Sequence, residues 1–201
     1  MSGLIRRGEK IAVTGVNGAG KSTFLKVLAS QTEPSSGTVT IGANVHLGYF
    51  SQHSMDILDP EKTVYETVSE VLPMATVGVI RNLCAAFLFQ GDDVDKRISI
   101  LSGGEKSRVV LASLLARPIN FLVLDEPTNH LDIISREILL EALQGFAGTV
   151  VLVSHDRHFL RCLVNRVFEV DHGQMLSYDG DYDYYLHKSG RETLEDQSPA
   201  V

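Results

Sequence analysis

Eight consecutive residues, Gly15-Val16-Asn17-Gly18-Ala19-Gly20-Lys21-Ser22, lie between the apolar run Lys10–Thr14 and the helical-looking run Thr23–Ser30. They have the composition of a phosphate-binding loop. Glycines let the backbone curl so that several N–H groups point inward, the following helix presents its positive end, and Lys21 adds a full charge beside phosphate oxygens. Gly15, Asn17, Gly18, Ala19, Gly20, Lys21, Ser22 and Thr23 are the candidate phosphate contacts, with Ser22 placed to ligate Mg²⁺.

A second group of candidates follows an apolar run, Phe121–Leu124, of the kind a buried parallel strand requires. Asp125 and Glu126 stand at its end, where open α/β sheets bind ligands. Asp125 can reach a metal, and Glu126, pointing differently, can deprotonate a water. A further buried-type run, Thr149–Ser154, delivers His155 to the same edge. Gln52, after the run Val45–Phe50, could reach back toward a metal. Two adjacent acids could merely cap a strand, and His155 could merely precede the helix begun by Asp156-Arg157; the phosphate loop upstream favours the chemical reading of both.

Ser102-Gly103-Gly104-Glu105 opens a helix with an apolar stripe at Val110, Leu111, Leu114 and Leu115, stopped by Pro118. Its hydroxyl, bare N–H groups and helix dipole suit an anion, yet the chain already holds one phosphate cradle, so the anion would belong to another copy. Read alone, Ser-Gly-Gly-Glu is only a capped helix start.

The elements that must position these residues alternate between buried-type strands and helices. This predicts an α/β fold with a mainly parallel sheet. Strands are expected at Thr38–Ile41 and Val45–Phe50, and a hairpin at Arg166–Asp171 and Gln174–Tyr178 around His172-Gly173. A small helical lobe is expected over about 56–100: one helix opened by a Thr63–Glu66 capping box and ended by Pro73, and a second with Val79, Ile80, Leu83 and Phe87 as its core stripe. A Tyr- and Asp-rich helix or turn is expected over Asp179–Lys188, and a flexible tail over 191–201.

The chain has 201 residues, 44% of them hydrophobic, enough for one core with a lobe. Its formal charge of −7 and the lack of a long Lys/Arg cluster argue against binding nucleic acid mainly through phosphates, although Lys106 with Arg108, or Arg157 with Arg161 and Arg166, could form local patches. Cys84 and Cys162 are expected to be buried thiols in a reducing compartment. No segment is apolar enough to cross a bilayer and no secretory leader is evident, so a soluble cytoplasmic protein is expected. Little sequence precedes the phosphate loop, and the chain is expected to be N-terminally incomplete.

Taken together and in this order, the motifs resemble an ATP-binding cassette ATPase across about the whole chain. In that family's terms the resemblance makes Gly15–Ser22 the Walker A loop, Gln52 the Q-loop glutamine, Leu101–Glu105 the signature sequence and Phe121–Asp125 the Walker B strand. Glu126 becomes the catalytic glutamate, Leu131-Asp132 the D-loop and His155 the switch histidine. It implies a P-loop NTPase fold over 1–190 with the helical lobe inserted, ATP and Mg²⁺ as ligand and cofactor, and two cassettes facing head to tail. In that arrangement Ser102, Gly103, Gly104, Glu105 and Asp132 serve the nucleotide of the partner cassette, and Ser22, Gln52 and Asp125 hold the metal. The wording Asp125-Glu126-Pro127-Thr128-Asn129-His130-Leu131-Asp132, with Ser154-His155-Asp156-Arg157, is similar to subfamily F, whose soluble members are associated with ribosomes and translation. Such members usually carry two cassettes joined by a charged linker, and this chain resembles one of them, more the second than the first. Ribosome contact would come from segments missing here, without membrane insertion. The aromatic residue that stacks on adenine in the superfamily has no counterpart before Gly15. Two other functions compete: the ATPase subunit of a membrane transporter, and a nucleotide-gated scaffold without turnover.

Overall fold

The apolar runs become strands because both faces of each are covered. In the computed structural model, which describes residues 2–129, 131–171 and 173–191 but not the side chain of Gln52, β1 is Lys10–Thr14. Ile11 and Val13 face one side, where they meet Leu25 and Leu28 of helix α1, Lys21–Leu28. Ala12 faces the other. The same alternation runs through β3, Phe121–Asp125, and β4, Thr149–Val153: Val123, Val151 and Val153 join the α1 side, whereas Leu122, Leu124, Val150 and Leu152 join the opposite core.

With β2, Leu47–Phe50, and the hairpin β5–β6, Arg166–Asp171 and Gln174–Tyr178, these strands form one six-stranded sheet in the order β2-β3-β4-β1-β5-β6. All neighbours pair parallel except β5 and β6. After β1 the chain crosses to β2 and works back through β3 and β4, then passes β1 to reach β5. The sheet therefore switches direction at β1, and the phosphate loop leaves the end of that strand, where such sheets open a crevice.

The expected lobe contains α2, Val64–Val71, and α3, Val77–Ala86. Thr63 opens α2 with the expected box: its hydroxyl accepts from Glu66 N–H, and the Glu66 carboxylate accepts from Thr63 N–H at 2.8 Å. Val64, Val68, Ile80, Cys84 and Phe87 are buried in the same core as Leu111 of helix α4, Gly103–Leu115, so the lobe shares its core with the sheet's helices. Helix α5, Ile133–Gly145, helix α6, Arg157–Leu163, and helix α7, Tyr182–Ser189, complete that face.

Three expectations fail. Thr38–Ile41 is not a strand: Val39 and Ile41 are exposed, and no strand among the described residues pairs with this segment. β-branched side chains favour a pleated surface only when a neighbouring strand supplies one. Instead the segment lines a groove of about 570 Å³ with residues 2–7 at the sheet's other end, beside Phe121 and Thr149, where β3 and β4 begin. Val79 is turned to solvent, and Cys84 replaces it on the inward stripe of α3. Cys162 is exposed, because on α6 the buried positions are Phe159, Leu160 and Leu163. No helix among the described residues is long and apolar enough to cross a membrane. From residue 192 on, the expected tail lies outside the described residues.

Candidate functional site

The loop after β1 is shaped by its glycines. Gly15 has φ +142°, and a Cβ there would collide with the carbonyl oxygen of Val170 on β5, so only glycine lets the chain turn this close to its neighbouring strand. Gly20, at φ +97°, is the left-handed residue from which α1 starts. The first turn of α1 holds no acidic side chain, so its positive end is not neutralised from within. Lys21 folds back over the loop, donating to the carbonyls of Gly15 at 2.9 Å and Val16 at 3.1 Å. Val16, Asn17 and Gly18 are exposed; Ala19 is half-buried against the α1 core; Thr23 points to solvent one residue beyond Ser22.

Strand pairing brings the second group of candidates to this loop. The Ser22 hydroxyl donates to Asp125 Oδ1 at 3.2 Å, a hydroxyl and a carboxylate converging from α1 and β3. These are hard oxygen donors of the type Mg²⁺ takes, and no cluster of three His, Cys, Asp or Glu side chains exists among the described residues to hold a metal by protein alone. The donor set fits a Mg²⁺ bound through one or two protein oxygens with phosphates completing its shell. Gln52 opens a short 3₁₀ turn, Gln52–Met55, after β2; its side chain lies outside the described residues.

Glu126 is the strained residue of the site. Its φ of +53° is unusual for any residue but glycine, and its main chain is pinned on both sides: its N–H donates to Val153 O at 3.0 Å, and its carbonyl accepts from Asn129 N–H at 3.2 Å. The carboxylate is 14% exposed, with Oε1 3.3 Å from His155 Nε2. Its Oε2 is buried with no partner among the described residues. Burial pushes its pKa up and Asp125 adds to this, while the charge and backbone hydrogen bond of His155, and Lys21, pull against it. A carboxylate kept more basic than usual, with one bare oxygen, is suited to accept a proton.

His155 is held through its neighbours. Ser154 Oγ is 2.9 Å from Thr128 Oγ1 and accepts from Asp156 N–H at 3.1 Å. Asp156 caps α6, accepting from Phe159 N–H at 3.0 Å, and pairs with Arg136 at 2.8 Å. Arg136, on the first turn of α5, escaped the sequence reading because its partner is twenty positions away and no periodic rule links them.

Ser102, Gly103, Gly104 and Glu105 are not brought to this centre. Among the described residues no hydrogen bond or ion pair joins them to the phosphate loop or to Asp125–Glu126. Ser102 caps α4, and its N–H and hydroxyl both donate to the Glu105 carboxylate at 2.8 Å; the backbone bond is the main cause holding Glu105 below its ordinary pKa. Asp132 caps α5 through Ser135 N–H at 2.7 Å, which likewise lowers its pKa. Three of the arginines that could have formed local basic patches are tied up in contacts of their own. Arg108 donates to Ser135 Oγ at 2.7 Å and lies over the Phe89 ring, Arg161 pairs with Asp183 at 2.7 Å, and Arg166 pairs with Glu9 and Asp179.

Comparison with known proteins gives the same outline. The family model described as ABC transporter matches residues 1–129. The chain is 48% identical to ABC transporter F family member 5 of Arabidopsis thaliana over 98% of its own length and 30% of that protein's. It spans about a third of the length of the curated relatives it matches. Among solved structures it is similar, at 30% identity and TM-score 0.75 over 92% of this chain and 33% of the other, to a chain in a model of ribosome-bound archaeal Pelota and ABCE1. It shares the fold, at 22% identity and TM-score 0.72 over 88% of this chain and 87% of the other, of a cassette described as a dimer bound to ADP and Pi in a post-hydrolysis state.

Proposed function

The chain belongs to the ATP-binding cassette family, its curated relatives include F-type members, and on that premise we propose that it is one cassette of a translation-associated ATPase. The observation that carries the chemistry is the buried Glu126 carboxylate, one oxygen toward His155 and the other bare, beside the Ser22–Asp125 pair at the mouth of a phosphate loop. Lys21 and the loop N–H groups bind the β- and γ-phosphates of ATP. Ser22 and Asp125, with Gln52, hold Mg²⁺, which when bound neutralises phosphate charge. Glu126 takes the proton of the attacking water, and His155 orients Glu126 and contacts the γ-phosphate.

Ser102–Glu105 and Asp132 serve a second cassette docked head to tail. Support comes from their separation from this loop and from the dimeric description of the fold neighbour. ATP then closes two cassettes and hydrolysis reopens them. A cytoplasmic, ribosome-bound role rests on the F-type relatives and the ribosome-bound fold neighbour, with contacts made by parts of the polypeptide beyond this chain.

The test is co-sedimentation of the complete parent polypeptide carrying Glu126→Gln with ribosomes. Pelleting with ATP but not ADP is expected. A protein that binds ATP yet stays in the supernatant with either nucleotide overturns the ribosomal role and redirects the search to a membrane partner.

A further inference from the structure

One buried carboxylate plays no part in the chemistry above. Glu169, on β5, is only 5% exposed. It lies opposite Thr14, the last residue before the phosphate loop, in the β1–β5 register. Its next neighbour, Val170, supplies the carbonyl against which Gly15 packs. Glu169 is thus built into the seat of the loop. Burying a charge there is costly unless every oxygen is satisfied, and the satisfying groups come from the Tyr-rich end of the chain. Tyr178 Oη donates to Oε2 at 2.9 Å, Tyr185 Oη donates to Oε1 at 3.4 Å, and Arg191 pairs with Oε1 at 2.6 Å.

The Tyr185 hydroxyl also lies 3.4 Å from Thr14 Oγ1. Its own proton goes to the carboxylate, so the Thr14 hydroxyl is the donor in that contact. Donation therefore runs one way, from Thr14 to Tyr185 to Glu169 Oε1, which Arg191 shares, while Tyr178 donates to Oε2. Tyr185 is 2% exposed and sits edge-on to Tyr178 at 5.1 Å, which fixes the hydroxyl that bridges the two strands.

Building on the nucleotide-binding reading above, we infer that Glu169, Tyr185 and Arg191 are positioning residues for the phosphate loop: they form a strut that ties the chain leaving α7 to Thr14 and holds the loop in its phosphate-accepting shape. Two independent features point this way. The strut ends on the residue immediately before Gly15, and the same strand fixes Gly15 by close contact. Arg191 follows the left-handed Gly190 that ends α7, and its N–H donates to Leu186 O at 3.0 Å, so a pull on the chain after α7 acts first on the Arg191–Glu169 pair.

The test uses the full chain with Tyr185→Phe, Arg191→Ala and Arg191→Lys, measuring Kd for Mg-ATP, thermal midpoint, and amide exchange over residues 15–22 without nucleotide. Tyr185→Phe and Arg191→Ala are each expected to raise Kd about threefold to tenfold, the range for one hydrogen bond, and to speed exchange in the loop. Arg191→Lys should restore most of both. If the variants lower the midpoint while exchange quickens only in α7 and β5–β6, with the loop and Kd as in wild type, the role is structural and the inference fails. Wild-type protein that binds no ATP, with loop exchange still quickened in the variants, would overturn the proposed function and leave the strut standing.

Discussion

Asp156 carries two loads that substitution can separate. As the cap of α6 it accepts from Phe159 N–H at 3.0 Å, and as an ion-pair partner it accepts from Arg136 Nη1 at 2.8 Å. Removing a helix cap costs about 1 kcal/mol. The pair is worth more than an open surface bridge, because Asp156 is 16% exposed, but Arg136 at 36% keeps access to water, so about 1–2 kcal/mol is reasonable. Asp156→Ala loses both and is expected to cost about 2–3 kcal/mol; Asp156→Asn keeps a good cap and should lose only the pair, about 1–2 kcal/mol. For a chain of this size that is a fall in Tm of about 4–12 °C against about 2–8 °C, measurable by calorimetry beside urea titrations. Although burial alone would raise the Asp156 pKa, the Phe159 bond and then Arg136 hold it below its ordinary value. Its contribution is therefore full above the unfolded carboxylate pKa and is lost as pH falls through the depressed folded one. The gap between wild type and Asp156→Asn should close in acid. An Asn variant as unstable as the Ala variant, or a gap that stays constant into acid, would refute the division of labour.

Three further outcomes follow from the site. Glu126→Gln should cut turnover by at least about a hundredfold while Mg-ATP Kd stays within about threefold, and turnover near wild type would remove the general-base role. His155→Ala takes away a group that pulls the Glu126 pKa down and leaves the burial that pushes it up, so the acid limb of kcat/KM should move to higher pH; an unmoved limb assigns it to another group. Gly15→Ala meets both a positive φ and the Val170 carbonyl, whereas Gly18→Ala meets a positive φ with nothing within 4 Å. The first should therefore lower Tm and ATP affinity well beyond the second, and equal effects would show that the β5 contact does not shape the loop.

The candidate site residues were legible because their signals are local. A glycine-rich loop before a helix start, or paired acids after an apolar run, needs only neighbours in sequence to be recognised. Buried parallel strands were legible for the same reason: Phe121–Leu124 is apolar throughout because helices cover both of its faces. What escaped was whatever depends on a distant partner. Arg136 looks like any polar residue on an amphipathic helix until α6 places Asp156 beside it. Glu169 looks like a surface residue in an alternating strand until Tyr178, Tyr185 and Arg191 close over it.

The strand expected at Thr38–Ile41 failed by the same logic run in reverse. Val39 and Ile41 have the side chains of a strand, and β3 is no richer in backbone preference than they are. β3, however, pairs with β2 on one edge and β4 on the other, so its N–H and C=O groups are satisfied and its side chains buried. Thr38–Ile41 has no such neighbour among the described residues and instead lines a groove with residues 2–7. Since β preference is mostly the preference for a packed neighbour, a stretch with the right residues and no partner gains nothing from extending into a ladder. The candidate site lies away from that open end: Asp125 ends β3 and Glu126 follows it, His155 comes shortly after β4, and the loop leading to Lys21 leaves β1, all strands that the central pairings hold in register.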